Sequence, residues 1–199
     1  MEYEGKLILI RHGKTKGNLE KRYVGITEES VLPEEYPRMD RMNYRERLCI
    51  EKLFVSPMAR CIETAQGIYP QMDYEIVPAF RECDFGEFEY GNYQELSLDL
   101  NYQKWIDSHG TLPFPNGEDP ESFKKRCQTA FQSCMDQAFR EGKMKIGMVV
   151  HGGTIMSIAD GFAVPHKDYF QWQVDNLEGY LADIIRRDDQ WLITHVCSL

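Results

Sequence analysis

Nowhere in its 199 residues does this chain carry an apolar run near the roughly 20 residues needed to span a membrane. Its start, MEYEGK, lacks the basic opening and long apolar core of a secretory signal. These absences point to the cytoplasm. The six cysteines, Cys49, Cys61, Cys83, Cys127, Cys134 and Cys197, form no Cys-x-x-Cys pair, and most sit within apolar periodicity, as small buried residues do. Neither disulfides nor a zinc site is expected. Positive charge is scarce too: 23 Lys and Arg against 32 Asp and Glu give a net charge of -9. Phosphate backbones select basic surfaces, so nucleic acid is excluded as a partner. Any phosphate site must be a local positive spot on an acidic body. No internal repeat or low-complexity linker divides the chain, and its length suits one core, residues 1–199, rather than two.

What is present alternates between strand and helix patterns. Lys6 to Ile10, Lys52 to Ser56 and Lys145 to Val150 are short apolar runs, each followed by a turn signal and a helical pattern. That order predicts an α/β fold, a three-layer sandwich with a mostly parallel central sheet flanked by helices. In PMARCIETAQGIYP the apolar residues recur at three- and four-residue spacing, which predicts an amphipathic helix with Pro57 in its first turn and Arg60 off the apolar face. Glu121 to Arg140 reads as the longest helix, capped by Asp119, with Pro120 at its first position and Gly142 ending it. The tail GYLADIIRRDDQWLITHVC reads as two strands joined by a polar turn. Between Phe85 and Asp119 the pattern breaks into a stretch rich in rings and acids with one basic residue, Lys104. It is expected to be a loop-rich insertion, either surface decoration or a lid over a substrate pocket.

The strand LILI runs straight into Arg11 and His12. In an open parallel sheet, ligands bind outside the carboxyl ends of the strands. His151, in MVVHGGT, stands at another strand end, and Arg60 follows the strand that ends at Ser56. Singly, each reads as a solvated charge or a structural histidine. Together, two arginines and two histidines at one rim would repel unless an anion held them. Phosphate suits them, because guanidinium forks match its oxygens, and the N–H groups of Gly13, Gly152 and Gly153 can approach closely.

LILIRHGKT with Asn18 following, SPMARCIETA, RECDFGEFE and VVHGGTI together resemble, in order and spacing, the signature segments of the histidine phosphatase superfamily, the phosphoglycerate mutase-like fold. The resemblance runs from Lys6 to the C-terminal strands. It implies that His12 is a nucleophile forming a phosphohistidine. Arg11, Arg60 and Asn18 would hold the phosphoryl oxygens, and His151 would stabilise charge developing on them. Glu82 would protonate the leaving oxygen and later take a proton from water, although Glu87 and Glu89 lie near enough in sequence to compete. Gly152 and Thr27 would contact substrate. No metal and no other cofactor is implied, since cationic side chains supply the charge.

Departures from the family pattern bear on the substrate. Lys14 stands where glutamate is usual and Cys61 where alanine is usual, and neither is expected to touch the chemistry. The run after RYVG reads ITEESVLPEEYPRMDRM instead of an Asp-x-Pro-Leu-Thr-like segment, which weakens the role Thr27 would inherit. Tyr90 replaces an expected glycine. The single lysine and many rings of the 85–119 segment favour hydrolysis of a small-molecule phosphate monoester with an uncharged, flat leaving group. Among family members of this size the chain resembles the alpha-ribazole phosphatases, PNGEDPESF being similar to their stretch before the long helix, and that resemblance implies alpha-ribazole 5'-phosphate as substrate. A broad-specificity or sugar phosphatase, a phosphoglycerate mutase and a catalytically weak phospho-ligand-binding protein are the alternatives. The oligomeric state is left open.

Overall fold

A computed structural model describes residues 3–43 and 49–199. Its strands are β1 (Tyr3–Arg11), β2 (Lys52–Val55), β3 (Glu75–Ile76), β4 (Lys145–Val150), β5 (Gly179–Arg187) and β6 (Gln190–Ser198). The helices are α1 (Lys16–Leu19), α2 (Tyr36–Asn43), α3 (Ala59–Ile68), α4 (Tyr93–Leu96), α5 (Leu100–Asp107), α6 (Pro120–Arg140) and α7 (Gly152–Phe162).

One six-stranded sheet has the order β3-β2-β4-β1-β5-β6. The neighbours β3–β2, β2–β4 and β4–β1 are parallel, whereas β1–β5 and β5–β6 are antiparallel. The expectation of a mostly parallel sheet is therefore corrected: the sheet is mixed. The C-terminal hairpin docks against β1 in the opposite direction, and its turn residues Asp188 and Asp189 both take positive φ, as a tight two-residue hairpin requires. This pairing also lengthens β1 beyond the apolar run, back to Tyr3, which pairs with Arg186.

Alternation sorts the strands onto two cores. Leu7, Leu9, Phe54, Met148 and Val150 face α6 and α7, while Ile8, Ile10, Leu53, Val55 and Val149 face α2 and α3. Burial on both faces explains why LILI and MVV are unbroken apolar runs. Helix α6 begins as its sequence predicts, with the Asp119 carboxylate accepting from Ser122 N at 2.8 Å. It ends in a Schellman turn: Gly142 has φ +67°, Lys143 N donates to Ala138 O, and Gly142 N donates to Phe139 O. Helix α3 starts later than its periodicity suggests. Met58, in an extended conformation, is its N-cap, so Pro57 lies before the helix rather than in its first turn.

The 85–119 segment is not structureless. It contains α4 and α5 and packs its own small core, in which Phe88, Tyr102 and Phe114 are buried with Cys83, Phe123 and Cys127, and Tyr23 and Trp105 lean against it.

Candidate active site

Because β1, β4 and β2 are neighbours, their carboxyl ends set Arg11 and His12, His151, and Ser56 side by side. The chain then turns into α3, which returns Arg60 to the same place. His12, Arg60 and His151 are all buried, and the two imidazole centroids lie 5.2 Å apart.

His12 and both arginines are held by backbone carbonyls, and His151 by side chains. His12 Nδ1 sits 2.8 Å from Gly13 O, so Nδ1 carries the proton and Nε2 keeps a lone pair. Gly13 N in turn donates to Thr64 Oγ1 at 2.9 Å, and Asn176 Nδ2 donates to His12 O at 2.9 Å. Arg11 is anchored through Nη1 to Val174 O at 2.7 Å, and its buried Nε has no hydrogen-bond partner among the described residues. A methyl on Gly152, at the start of α7, would stand 3.5 Å from that Nε, so the glycine and the guanidinium share one wall. Arg60 reaches Thr27 O at 2.9 Å, Gly25 O at 2.8 Å and, through Nε, His151 Nδ1 at 3.4 Å. His151 Nε2 lies 2.7 Å from Ser56 Oγ. Burial, reinforced by Arg60, pushes the pKa of both histidines well below the ordinary histidine value, so both are neutral near pH 7.

Of the three acids near residue 82, Glu82 reaches the rim. Its carboxylate accepts from Cys83 N at 3.0 Å, and a methyl on Gly153 would come within 2.7 Å of it. Burial raises its pKa, against the pull of the Cys83 N–H and the two arginines. Glu89 is committed elsewhere: one oxygen accepts from Gly25 N, Thr27 N and Thr27 Oγ1 at 2.9, 2.9 and 2.7 Å. Glu87 accepts from Asn116 Nδ2 at the surface. Thr27 thus spends its hydroxyl on Glu89 and its carbonyl on Arg60. Asn18 Oδ1 accepts from Thr15 N at 3.2 Å and Asn176 Nδ2 at 3.1 Å, which leaves its amide nitrogen turned the other way.

Beside this buried end opens a cavity of about 500 Å³, lined by Arg11, Glu82, Gly152 and Gly153 at its floor and by Tyr23, Phe85, Trp105, Phe114, Phe123 and Tyr169 along its walls. The two other cations that reach it are neutralised. Arg22 holds Glu95 through two nitrogens, at 2.8 and 3.0 Å, and also pairs with Glu20. Lys124 pairs with Glu121 and Asp160 at 3.2 and 3.4 Å. Among the described residues, no three His, Cys, Asp or Glu side chains converge as a metal site.

Reading along the chain misses Ser56, Thr64 and Asn176. A polar Thr64 among the apolar positions of α3 was a usable signal. Asn176 had none, because only the fold carries it 164 residues back to His12. The expectation for Cys61 is also corrected: its Sγ lies 3.6 Å from His151 Nε2, packed against the site.

The described family of the histidine phosphatase superfamily (branch 1) matches residues 7–197. The chain belongs to the histidine phosphatase superfamily. A broad-specificity phosphatase of Saccharomyces cerevisiae is 24% identical, over 96% of this chain and 84% of that protein. A phosphoserine phosphatase of Entamoeba histolytica, solved with 3-phosphoglyceric acid, aligns at TM-score 0.79 with 26% identity over 98% of this chain and 97% of that one. The alpha-ribazole phosphatase of Shigella flexneri aligns at TM-score 0.78 over 94% of each chain, and at 19% identity it speaks for the fold alone. Within the superfamily this chain is an enzyme, and a six-stranded mixed sheet with helices is the fold it shares with those neighbours.

Proposed function

We propose that this enzyme hydrolyses small phosphate monoesters through a phosphohistidine on His12, without a metal, and that it prefers an uncharged, flat leaving group such as alpha-ribazole. The observation that carries the reading is the His12 Nδ1–Gly13 O contact of 2.8 Å. It fixes the neutral tautomer whose Nε2 lone pair is available beside two arginines, which is what attack on phosphorus needs.

The steps balance as follows. The Nε2 lone pair of His12 forms a bond to phosphorus as the ester P–O bond breaks, with Arg11, Arg60, Asn18 and the Gly152 N–H holding the phosphoryl oxygens. Glu82, whose pKa burial raises, gives its proton to the departing oxygen. Water then attacks the phosphohistidine, its proton passes to the Glu82 carboxylate, and the P–N bond breaks to release phosphate. His151 stabilises charge on the same oxygens. Thr27 acts through Arg60 and Glu89 rather than by touching substrate.

The aromatic walls and the paired state of Arg22 and Lys124 support the preference for a flat neutral leaving group, since no spare cation awaits a second anion. The likeness to the phosphoserine phosphatase favours a second reading, a small charged monoester. A panel of phosphorylated metabolites assayed for phosphate release in excess chelator decides between them. Alpha-ribazole 5'-phosphate should exceed both phosphoserine and 3-phosphoglycerate in kcat/KM, and orthovanadate should compete with substrate. Activity that vanishes in chelator and returns with magnesium would overturn metal independence. Phosphoserine as the best substrate would overturn the leaving-group preference.

A further inference from the structure

Three buried side chains form a directional hydrogen-bond chain behind His151. Arg60 Nε–H can only donate, so at 3.4 Å it requires His151 Nδ1 to be the acceptor. The proton of the neutral ring then sits on Nε2 and points at Ser56 Oγ, 2.7 Å away. Ser56 Oγ also accepts from Met58 N at 3.4 Å. With two donors aimed at it, the serine oxygen is the acceptor of this chain, and Cys61 Sγ packs 3.6 Å from His151 Nε2. All three residues are fully buried, so no water competes for these bonds.

We propose that Ser56 is a positioning residue that selects the Nε2–H tautomer of His151 and so makes Nδ1 the atom that takes up a proton when the phosphoryl group enters. This rests on the reading of His151 as a stabiliser of phosphoryl oxygens. In the free enzyme the Nδ1 lone pair is occupied by Arg60. When an anion draws the guanidinium to itself, Nδ1 is released, and it accepts a proton from the substrate monoanion or from solvent. His151 then becomes an imidazolium with N–H bonds to an oxygen on one side and to Ser56 on the other. No bond other than N–H forms, and the proton donor loses what the ring gains. Ser56 accepts from Nε2–H in both states, so nothing behind the ring reorganises. The 2.7 Å contact exists because β2 and β4 are adjacent, with Val55 paired to Val149. Sequence distance gives no hint of it.

The test uses the full chain with ¹⁵N-labelled histidine, the His151 resonances being identified by their loss in His151→Asn. The free enzyme should carry its proton on Nε2 with Nδ1 bare, and orthovanadate should add a proton at Nδ1. Ser56→Ala should lower kcat by about 10–100-fold with little change in KM, the range seen when a partner that orients a functional histidine is removed. The same variant should leave the free ring in a mixture of tautomers. Ser56→Thr, which keeps the hydroxyl, should restore both. A free enzyme with the proton on Nδ1, or Ser56→Ala with wild-type kcat, overturns the proposal, and the first of these needs no variant to fold. Absence of turnover with every monoester, alongside the expected vanadate-dependent protonation, would sink the phosphatase reading and support the Ser56 assignment.

Discussion

The phosphoryl end of the site and the cavity beside it are built on opposite principles. At the phosphoryl end, His12, Arg60 and His151 sit at strand and helix ends, fully or nearly fully buried; backbone carbonyls orient His12 and Arg60, and Ser56 and Arg60 orient His151. In the cavity, side chains from loops and the short helices of the 85–119 segment supply rings, and every charge that reaches in beyond Arg11 and Glu82 is matched by an opposite one. The difference separates two jobs. Chemistry on phosphorus requires fixed charges out of water, which only the sheet rim holds rigidly, whereas selection of a leaving group requires shape and apolar area, which an insertion can vary without disturbing the rim.

The sharpest way to break this contrast is to replace His12, the proposed nucleophile. His12→Ala should abolish an adduct that is stable in base and labile in acid, and turnover should fall by about 10⁴-fold or more, as loss of a nucleophile does elsewhere. A phosphoenzyme that survives in the variant would place the chemistry outside the rim.

Glu82 lies where the two regions meet. Glu82→Gln should slow phosphoenzyme formation from an alkyl phosphate by about 10²–10⁴-fold, the usual range for general acid catalysis. The effect on p-nitrophenyl phosphate should be much smaller, because that leaving group departs without a proton. Since burial raises the Glu82 pKa, the burst rate with an alkyl phosphate should decline as pH rises through that raised value. Equal losses on the two substrates would make Glu82 a positioning group.

The buried end should also reveal itself in stability against pH. His12 and His151 are held neutral well below their ordinary value of 6.5. As pH falls through about 6.5 the unfolded chain takes up protons that the folded chain refuses, so stability is full above that value and drops below it. Each histidine contributes a slope of up to about 1.4 kcal/mol per pH unit. Glu82, with a raised pKa, works in the opposite direction at lower pH. Denaturant titrations between about pH 7.5 and about pH 5.5 should show a loss that His12→Asn reduces by roughly half. A slope unchanged in that variant would mean that the rim admits the proton.

The smallest effect expected is at the cavity wall. Replacing both Glu121 and Asp160 by their amides removes the partners of Lys124, and kcat/KM for 3-phosphoglycerate should rise by about 3–10-fold, the scale of a freed surface cation. Alpha-ribazole 5'-phosphate should change little. A similar rise for both substrates would show that charge balance in the cavity does not select the leaving group.

Much of the rim was legible. Apolar runs ending abruptly in Arg11–His12 and His151 marked strands whose carboxyl ends carry charge, and the pattern of α6 marked its caps and its stripe. The antiparallel hairpin against β1 was not legible as an orientation, because alternation reports which face a residue occupies and not which way its neighbour runs. Nor were the roles of Thr27, Glu89 and Asn176, whose partners lie tens of residues away. Thr27 and Glu89 bind each other across 62 residues, and this contact excludes Glu89 from the role that its sequence position left open to it.

By itself, the sequence determined the residue types, the alternation of strand and helix, and the collection of two arginines and two histidines at turns after strands, since these follow from local periodicity and chain order. Only the tertiary structure decided which nitrogen of His12 is free, which of three glutamates meets the rim, and that Ser56 stands behind His151. Those outcomes depend on which strands become neighbours and which loops fold over them, and contacts between distant segments, such as Ser56 to His151 at 2.7 Å and Asn176 to His12 O at 2.9 Å, exist only once that packing is complete.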